Sequence, residues 1–141
     1  MTEISYTTDG VEMPSFDTPR IENWIVSVAR GFGKTVGAVT YIFCNDDKIL
    51  EVNRKYINHD YYTDIITFDY SRPMRISGDV FISLDTVRSN AILLGKTYDN
   101  ELMRVIIHGI LHLCGVDDKG PGEREIMERH EDEALALLSN M

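Results

Sequence analysis

NELMRVIIHGILHLCGVDD, residues Asn100 to Asp118, decides how the rest of the 141-residue chain must be arranged. Leu102, Val105, Ile106, Ile107, Ile110, Leu111 and Leu113 make the segment from Asn100 to Cys114 apolar nearly all round. A helix apolar over so much of its surface has to be buried, so the other elements pack about it. Gly115 then stops the helix, because glycine takes the left-handed conformation that closes a helical C-terminus.

Outward from this helix the patterns alternate in type. Thr86 to Leu94 suits a helix closed by Gly95, and Ile76 to Ser83 and Thr63 to Tyr70 read as strands. Ala38 to Cys44, AVTYIFC, is a third strand, followed by Asn45 or Asp46 as the cap of a short helix. Asp17-Thr18-Pro19 opens a helix over Arg20 to Arg30 with Ile21, Trp24, Ile25 and Val28 on one face. Residues 3–8 alternate weakly, as an edge strand does, and Glu123 to Ser139 is an amphipathic C-terminal helix. There is no repeat or interdomain linker. The expectation is one α+β domain over residues 1–141, a small mixed β-sheet covered by helices, with the chemistry at the end of a central buried helix.

Composition bounds the function. Hydrophobic residues make up 43% and charged residues 26%, as in a globular domain. No stretch is apolar enough to span a bilayer, and MTEISYTTDG lacks the basic start and apolar middle of a secretory signal. A cytoplasmic protein with no membrane partner is expected, with Cys44 and Cys114 reduced and acting as core residues. The net charge of −9 excludes a sequence-indifferent nucleic-acid coat, which is usually basic. Any nucleic acid must be held by a local basic or aromatic patch or delivered by a partner. The run Glu123 to Glu133, six acids against two arginines, reads as a solvated helix face.

His108 and His112 are four residues apart, about 40° around a helix axis, so both imidazoles leave one face. That is the pair geometry of helical zinc sites. The stop at Gly115 lets the chain turn back and bring Asp117 or Asp118 toward the same ion. Two imidazoles and one carboxylate leave a zinc ion an open position. Two core histidines without partners would be expensive among so many aliphatic neighbours. Gly109 costs the helix about 0.5–1 kcal/mol relative to alanine, so close approach of another backbone is expected there. It also stands where HExxH peptidases carry their general base, which leaves a metallopeptidase-like hydrolase as the second reading.

These residues resemble the YbeY family, the bacterial rRNA maturation factors regarded as metal-dependent, single-strand-specific endoribonucleases. The family signature HGxLHLxGYDH reads here as His108-Gly109-Ile110-Leu111-His112-Leu113-Cys114-Gly115-Val116-Asp117-Asp118, with Val116 for the usual Tyr and Asp118 for the third His. A second block, LNxxYRGxDxPTDVLSF, resembles Leu50 to Phe68, which keeps Leu50, Tyr56, Asp60, Thr63, Asp64 and Phe68. Gly78-Asp79 with Ile82-Ser83 is similar to the family's GDIxIS strand. The likeness spans roughly residues 38–138.

The resemblance implies His108, His112 and Asp118 as ligands of one zinc ion, another divalent transition metal being the alternative. It implies single-stranded rRNA and ribosomal subunits as partners, not DNA, with roles in 16S rRNA maturation and ribosome quality control. The aspartate lowers the site's charge from about +2 to about +1, which weakens Lewis acidity and favours harder ions. The family's arginine aligns with Ile57, so its role has no direct heir, and Arg54, Lys55, His59 and Arg104 are the candidates. Asp117 is either a proton acceptor or a cap for the turn, and the catalytic residues stay unassigned. Cations and aromatics interleave from Arg54 to Arg75 (Arg54, Lys55, Tyr56, His59, Tyr61, Tyr62, Tyr70, Arg72, Arg75), as a rim for single-stranded RNA requires. A noncatalytic ribosome-assembly factor with a structural metal is the third reading.

Overall fold

A computed structural model of the chain describes residues 2–57 and 63–141. The elements run β1 (Glu3–Asp9), α1 (Thr18–Gly31), β2 (Thr35–Cys44), α2 (Asp46–Val52), a π-helical turn (Asn53–Ile57), β3 (Ile65–Asp69), β4 (Arg75–Ser83), α3 (Leu84–Leu94), α4 (Tyr98–Leu113) and α5 (Glu123–Ser139). The four strands lie in the order β1-β2-β4-β3. β1 with β2 and β2 with β4 are parallel, and β3 with β4 is antiparallel, so the sheet is mixed as the sequence implies.

Local chemistry sets the boundaries. Asp17 caps α1 by accepting from the Arg20 amide, and Asn45, not Asp46, caps α2 by accepting from the Lys48 amide. Thr97 caps α4 through the Asn100 amide, so this helix starts two residues before the apolar pattern does. Gly95 closes α3 at φ 65°. The π-helical turn after α2 has no sequence signal in the period-3.6 pattern.

β4 alternates from Arg75 to Ile82, with Ile76, Val80 and Ile82 facing the main core and Phe81 the other side. The main core holds α1, α4 and α5 against the sheet; a smaller one places Cys44, Ile49, Val52 and Ile66 beneath α2. Each buried aliphatic side chain contributes about 1.5–3 kcal/mol relative to exposure. Two buried polar atoms are satisfied across layers. Trp24 Nε1 donates to the Ala134 carbonyl at 2.7 Å, and Tyr41 Oη donates to the Ile106 carbonyl at 2.9 Å. Cys44 and Cys114 are both free thiols. No helix among the described residues is long and apolar enough to cross a membrane.

α4 is the central helix, and Gly109 fixes its height on the sheet. A Cβ at Gly109 would meet Val80 Cγ1 at 3.0 Å and Ile65 Cδ1 at 3.3 Å. The expected close approach of a backbone is therefore corrected: the glycine admits side chains of β4 and β3. That seat brings the preceding and following turns of α4 level with the start of β3.

Candidate active site

Four side chains in the phase of one helical face, Glu101, Arg104, His108 and His112, line a cleft of about 850 Å³. The mouth of β3 supplies Asp64, the turn after α4 supplies Asp118, and α5 supplies Glu131. The turn forms as the sequence predicts. Gly115, at φ 101°, donates its amide to the His112 carbonyl at 3.0 Å, and the Val116 amide reaches the Leu111 carbonyl at 3.0 Å. Val116 is buried and anchors the returning chain.

His108 is held from both sides. Its Nδ1 lies 2.7 Å from Glu131 Oε2, and its Nε2 lies 3.4 Å from Asp118 Oδ2. A carboxylate accepts, so Nδ1 carries the proton and Nε2 points into the cleft, the arrangement carboxylates impose on metal-ligating histidines. Arg104 fixes Glu131 in turn: Nη1 donates to Glu131 Oε1 and Nη2 to Asp132 Oδ1, both at 2.8 Å. Burial opposes a charged His108, but the hydrogen bond and charge of Glu131, joined by Asp118 and Asp64, outweigh it and raise the pKa. The gap between Nε2 and Asp118 therefore attracts a cation.

That gap also has a metal's dimensions. Two ligands about 2.0–2.1 Å from zinc at a tetrahedral angle stand about 3.3–3.4 Å apart. His112 lines the same cleft, and its Nδ1 is buried without a hydrogen-bond partner. An unpaired buried polar atom costs about 1–3 kcal/mol, which a ring fixed by an ion would offset. Among the described residues no three His, Cys, Asp or Glu side chains already form a metal-ligating group. The braced pair is His108–Asp118, with His112 beside it.

Two more carboxyls face this centre. Asp64 lies just before β3, and burial is the main cause of its raised pKa, partly countered by His108. Glu101 is 4% exposed, and its Oε1 has no hydrogen-bond partner. Burial first, then the charge of Asp64, raises its pKa.

Asp117 is exposed and does not line the cleft, unlike Asp118. Of the candidates for the missing arginine's role, Arg104 lies in the cleft but is taken by Glu131 and Asp132. Lys55 sits 5.3 Å from the Tyr56 ring and is not in the cleft lining. Arg54 is exposed, and His59, Tyr61 and Tyr62 lie outside the described residues. The acidic run on α5 needs correction, because it is not uniformly solvated: Glu131 is buried. The signal was its phase, for Met127, Glu131, Ala134 and Leu138 share the buried stripe of α5.

Fold and cleft together define an α+β domain with a histidine-and-carboxylate site on its central helix. The chain belongs to the endoribonuclease YbeY family, whose model matches residues 5–139. It is 67% identical to the endoribonuclease YbeY of Phocaeicola vulgatus over 136 residues, covering 96% of this chain and 99% of that one. The Bacteroides thetaiotaomicron protein of the same name is 62% identical, covering 95% and 98%. The solution structure of a Thermotoga maritima protein superposes with a TM-score of 0.63 at 25% identity, covering 97% of this chain and 92% of that one. The resemblance read from the motifs and the α+β expectation are both borne out.

Proposed function

We propose that this protein is a zinc-dependent endoribonuclease that cuts single-stranded RNA in rRNA processing, including 16S rRNA maturation and ribosome quality control, in the cytoplasm. The observation that carries the reading is His108, fixed by Glu131 with its Nε2 3.4 Å from Asp118. His108, His112 and Asp118 would hold the ion. When bound, it supplies Lewis acidity and charge for the oxygens on which negative charge grows as a phosphodiester is cleaved.

The chain's own residues do the positioning. Glu131 sets the tautomer and direction of His108, and Arg104 holds Glu131 in place. Asp64 and Glu101, both favouring the protonated form more than ordinary carboxyls, stand along the wall where a proton would be passed or held. Ribosomal subunits would present the RNA, which suits a protein of net charge −9.

The peptidase reading is weakened by packing. A side chain at Gly109 would run into Val80 and Ile65, so the seat of α4 on the sheet leaves no room there for a general base. The test is metal analysis together with cleavage of a single-stranded rRNA fragment by the wild type, His112→Ala and Asp118→Ala. Metal and cleavage should vanish together. Cleavage by a folded, metal-free variant overturns the reading.

A further inference from the structure

The sheet ends away from α3 in two turns that are tied together. Lys34, in the α1–β2 turn, donates through Nζ to the Pro73 carbonyl at 2.5 Å, and the Thr35 amide donates to the Met74 carbonyl at 2.9 Å. Within the β3–β4 hairpin, Arg72 and Arg75 exchange backbone hydrogen bonds at 2.9 and 3.2 Å. Arg75 lies along Gly37, where a Cβ would meet its Nε at 2.9 Å. The result is a hollow of about 480 Å³ lined by Arg30, Lys34 and Arg75 together with Thr35. Arg72 stands exposed on the adjoining hairpin. No acidic side chain among the described residues lines this hollow. Of the neighbouring acids, Asp69 has Oδ1 engaged by the Ser71 amide at 2.8 Å, and Asp79 has Oδ2 accepting from Tyr70 Oη at 3.4 Å.

Four cations in one place are conspicuous in a chain with 14 against 23 acids. Apolar and aromatic surface accompanies them: Tyr70 is 59% and Met74 67% exposed. The patch is also connected to the cleft. β3 is an edge strand, Ile65, Ile66 and Thr67 line the cleft, and the strand ends at the hairpin. At about 3.4 Å per residue its five residues span about 17 Å, and Tyr56 packs edge-on to Phe68 along the way. From the other side, Lys34 is close enough for its charge to act on Cys114, at the end of the helix that carries His112.

We propose that the joined α1–β2 and β3–β4 turns form a phosphate-backbone site for single-stranded RNA, in which Arg30, Lys34, Arg72 and Arg75 grip the strand that enters the cleft along β3. The ligand class rests on the endoribonuclease reading. The site itself rests on the basic hollow, its exposed ring and thioether, and its continuity with the cleft. It divides the cationic stretch from Arg54 to Arg75 in two and recruits Arg30 and Lys34, which are distant in sequence. It also explains how a strongly acidic protein holds a polyanion.

The test uses the full-length protein and a fluorescein-labelled single-stranded RNA, with binding followed by anisotropy across a salt series. Arg30→Gln combined with Arg72→Gln alters exposed side chains outside the cleft lining. Each lost phosphate contact should lower the slope of log K against log salt by about 0.7, hence by about 1.4 for the pair, with affinity falling roughly tenfold at low salt. KM for cleavage should rise while kcat holds. Arg88→Gln with Arg129→Gln, which changes net charge equally elsewhere, should bind as the wild type does. A double variant with the wild-type slope, or a control that loses as much, overturns the proposal. If the wild type binds through this patch but leaves the RNA whole, the endoribonuclease reading fails and the backbone site stands. If the wild type cuts and the Arg30/Arg72 variant is indistinguishable, only the backbone site falls.

Discussion

His108 and His112 face one cleft from consecutive turns of α4, yet the fold treats them unequally. His108 has Glu131 on one nitrogen, Asp118 near the other, and Arg104 behind Glu131. His112 has a buried nitrogen with no partner. The difference separates two ways of making a site. One ring is oriented by the protein's own carboxylates, whereas the other keeps a buried nitrogen that no described group satisfies. Removing His112 therefore tests the ion, and disturbing the support of His108 tests the orientation.

The largest effect is expected at the unsupported ring. On the proposed metal reading, His112→Ala takes away one of the three ligands together with an orphan nitrogen, so metal content should fall from about one per chain to near zero and RNA cleavage to background. Because a buried unpaired atom disappears, the metal-free variant should melt no lower than the metal-free wild type by more than the cost of a small cavity. Elemental analysis, cleavage and calorimetry on the same samples check all three.

Next comes the brace. Glu131→Gln keeps a hydrogen-bond acceptor for His108 but removes the charge that both His108 and Arg104 use, and metal affinity should drop about 10–100-fold with the fold intact. A chelator competition titration reads it. Unchanged affinity would mean that Glu131 is only a partner for Arg104. A smaller, opposite effect is expected from Asp118→His. A third neutral imidazole restores the charge that the carboxylate removes and should shift preference several-fold toward zinc over manganese, read by competitive metal loading.

The same inequality explains what the sequence could and could not reveal. His108, His112, Gly115 and Asp118 lie within eleven residues, and helical spacing alone puts them together. The strands were legible as apolar runs flanked by caps and glycines. Glu131 is 23 residues beyond His108, and its acidic neighbours hid it, although its place in the stripe with Met127, Ala134 and Leu138 was a usable sign. Glu101 shared the phase of His108 on α4, but no local pattern showed that it would be buried. The β3–β4 hairpin was readable as a turn. That it meets the turn carrying Arg30 and Lys34 depends on parallel pairing of β2 with β4, a long-range contact no local pattern encodes.

Glu101 gives the smallest and most pH-sensitive test, because it is a second orphan on the helix that carries the braced histidine. Its folded-state pKa is raised, first by burial and then by Asp64. A carboxyl raised on folding binds its proton more tightly in the native state. Its contribution to stability is therefore full below the unfolded value of about 4.3 and is lost as pH rises through the folded value. Asp64, raised for the same leading reason, adds to the trend. The metal-free protein should accordingly lose stability as pH climbs through the acid range toward neutrality. Glu101→Gln removes the buried charge while keeping the shape, so at neutral pH it should gain about 1 kcal/mol and flatten that slope. Urea melts of the chelated protein at several pH values measure both. A steeper slope in the variant would show that the Glu101 carboxylate is stabilised within the cleft, against the burial and the Asp64 charge that oppose it.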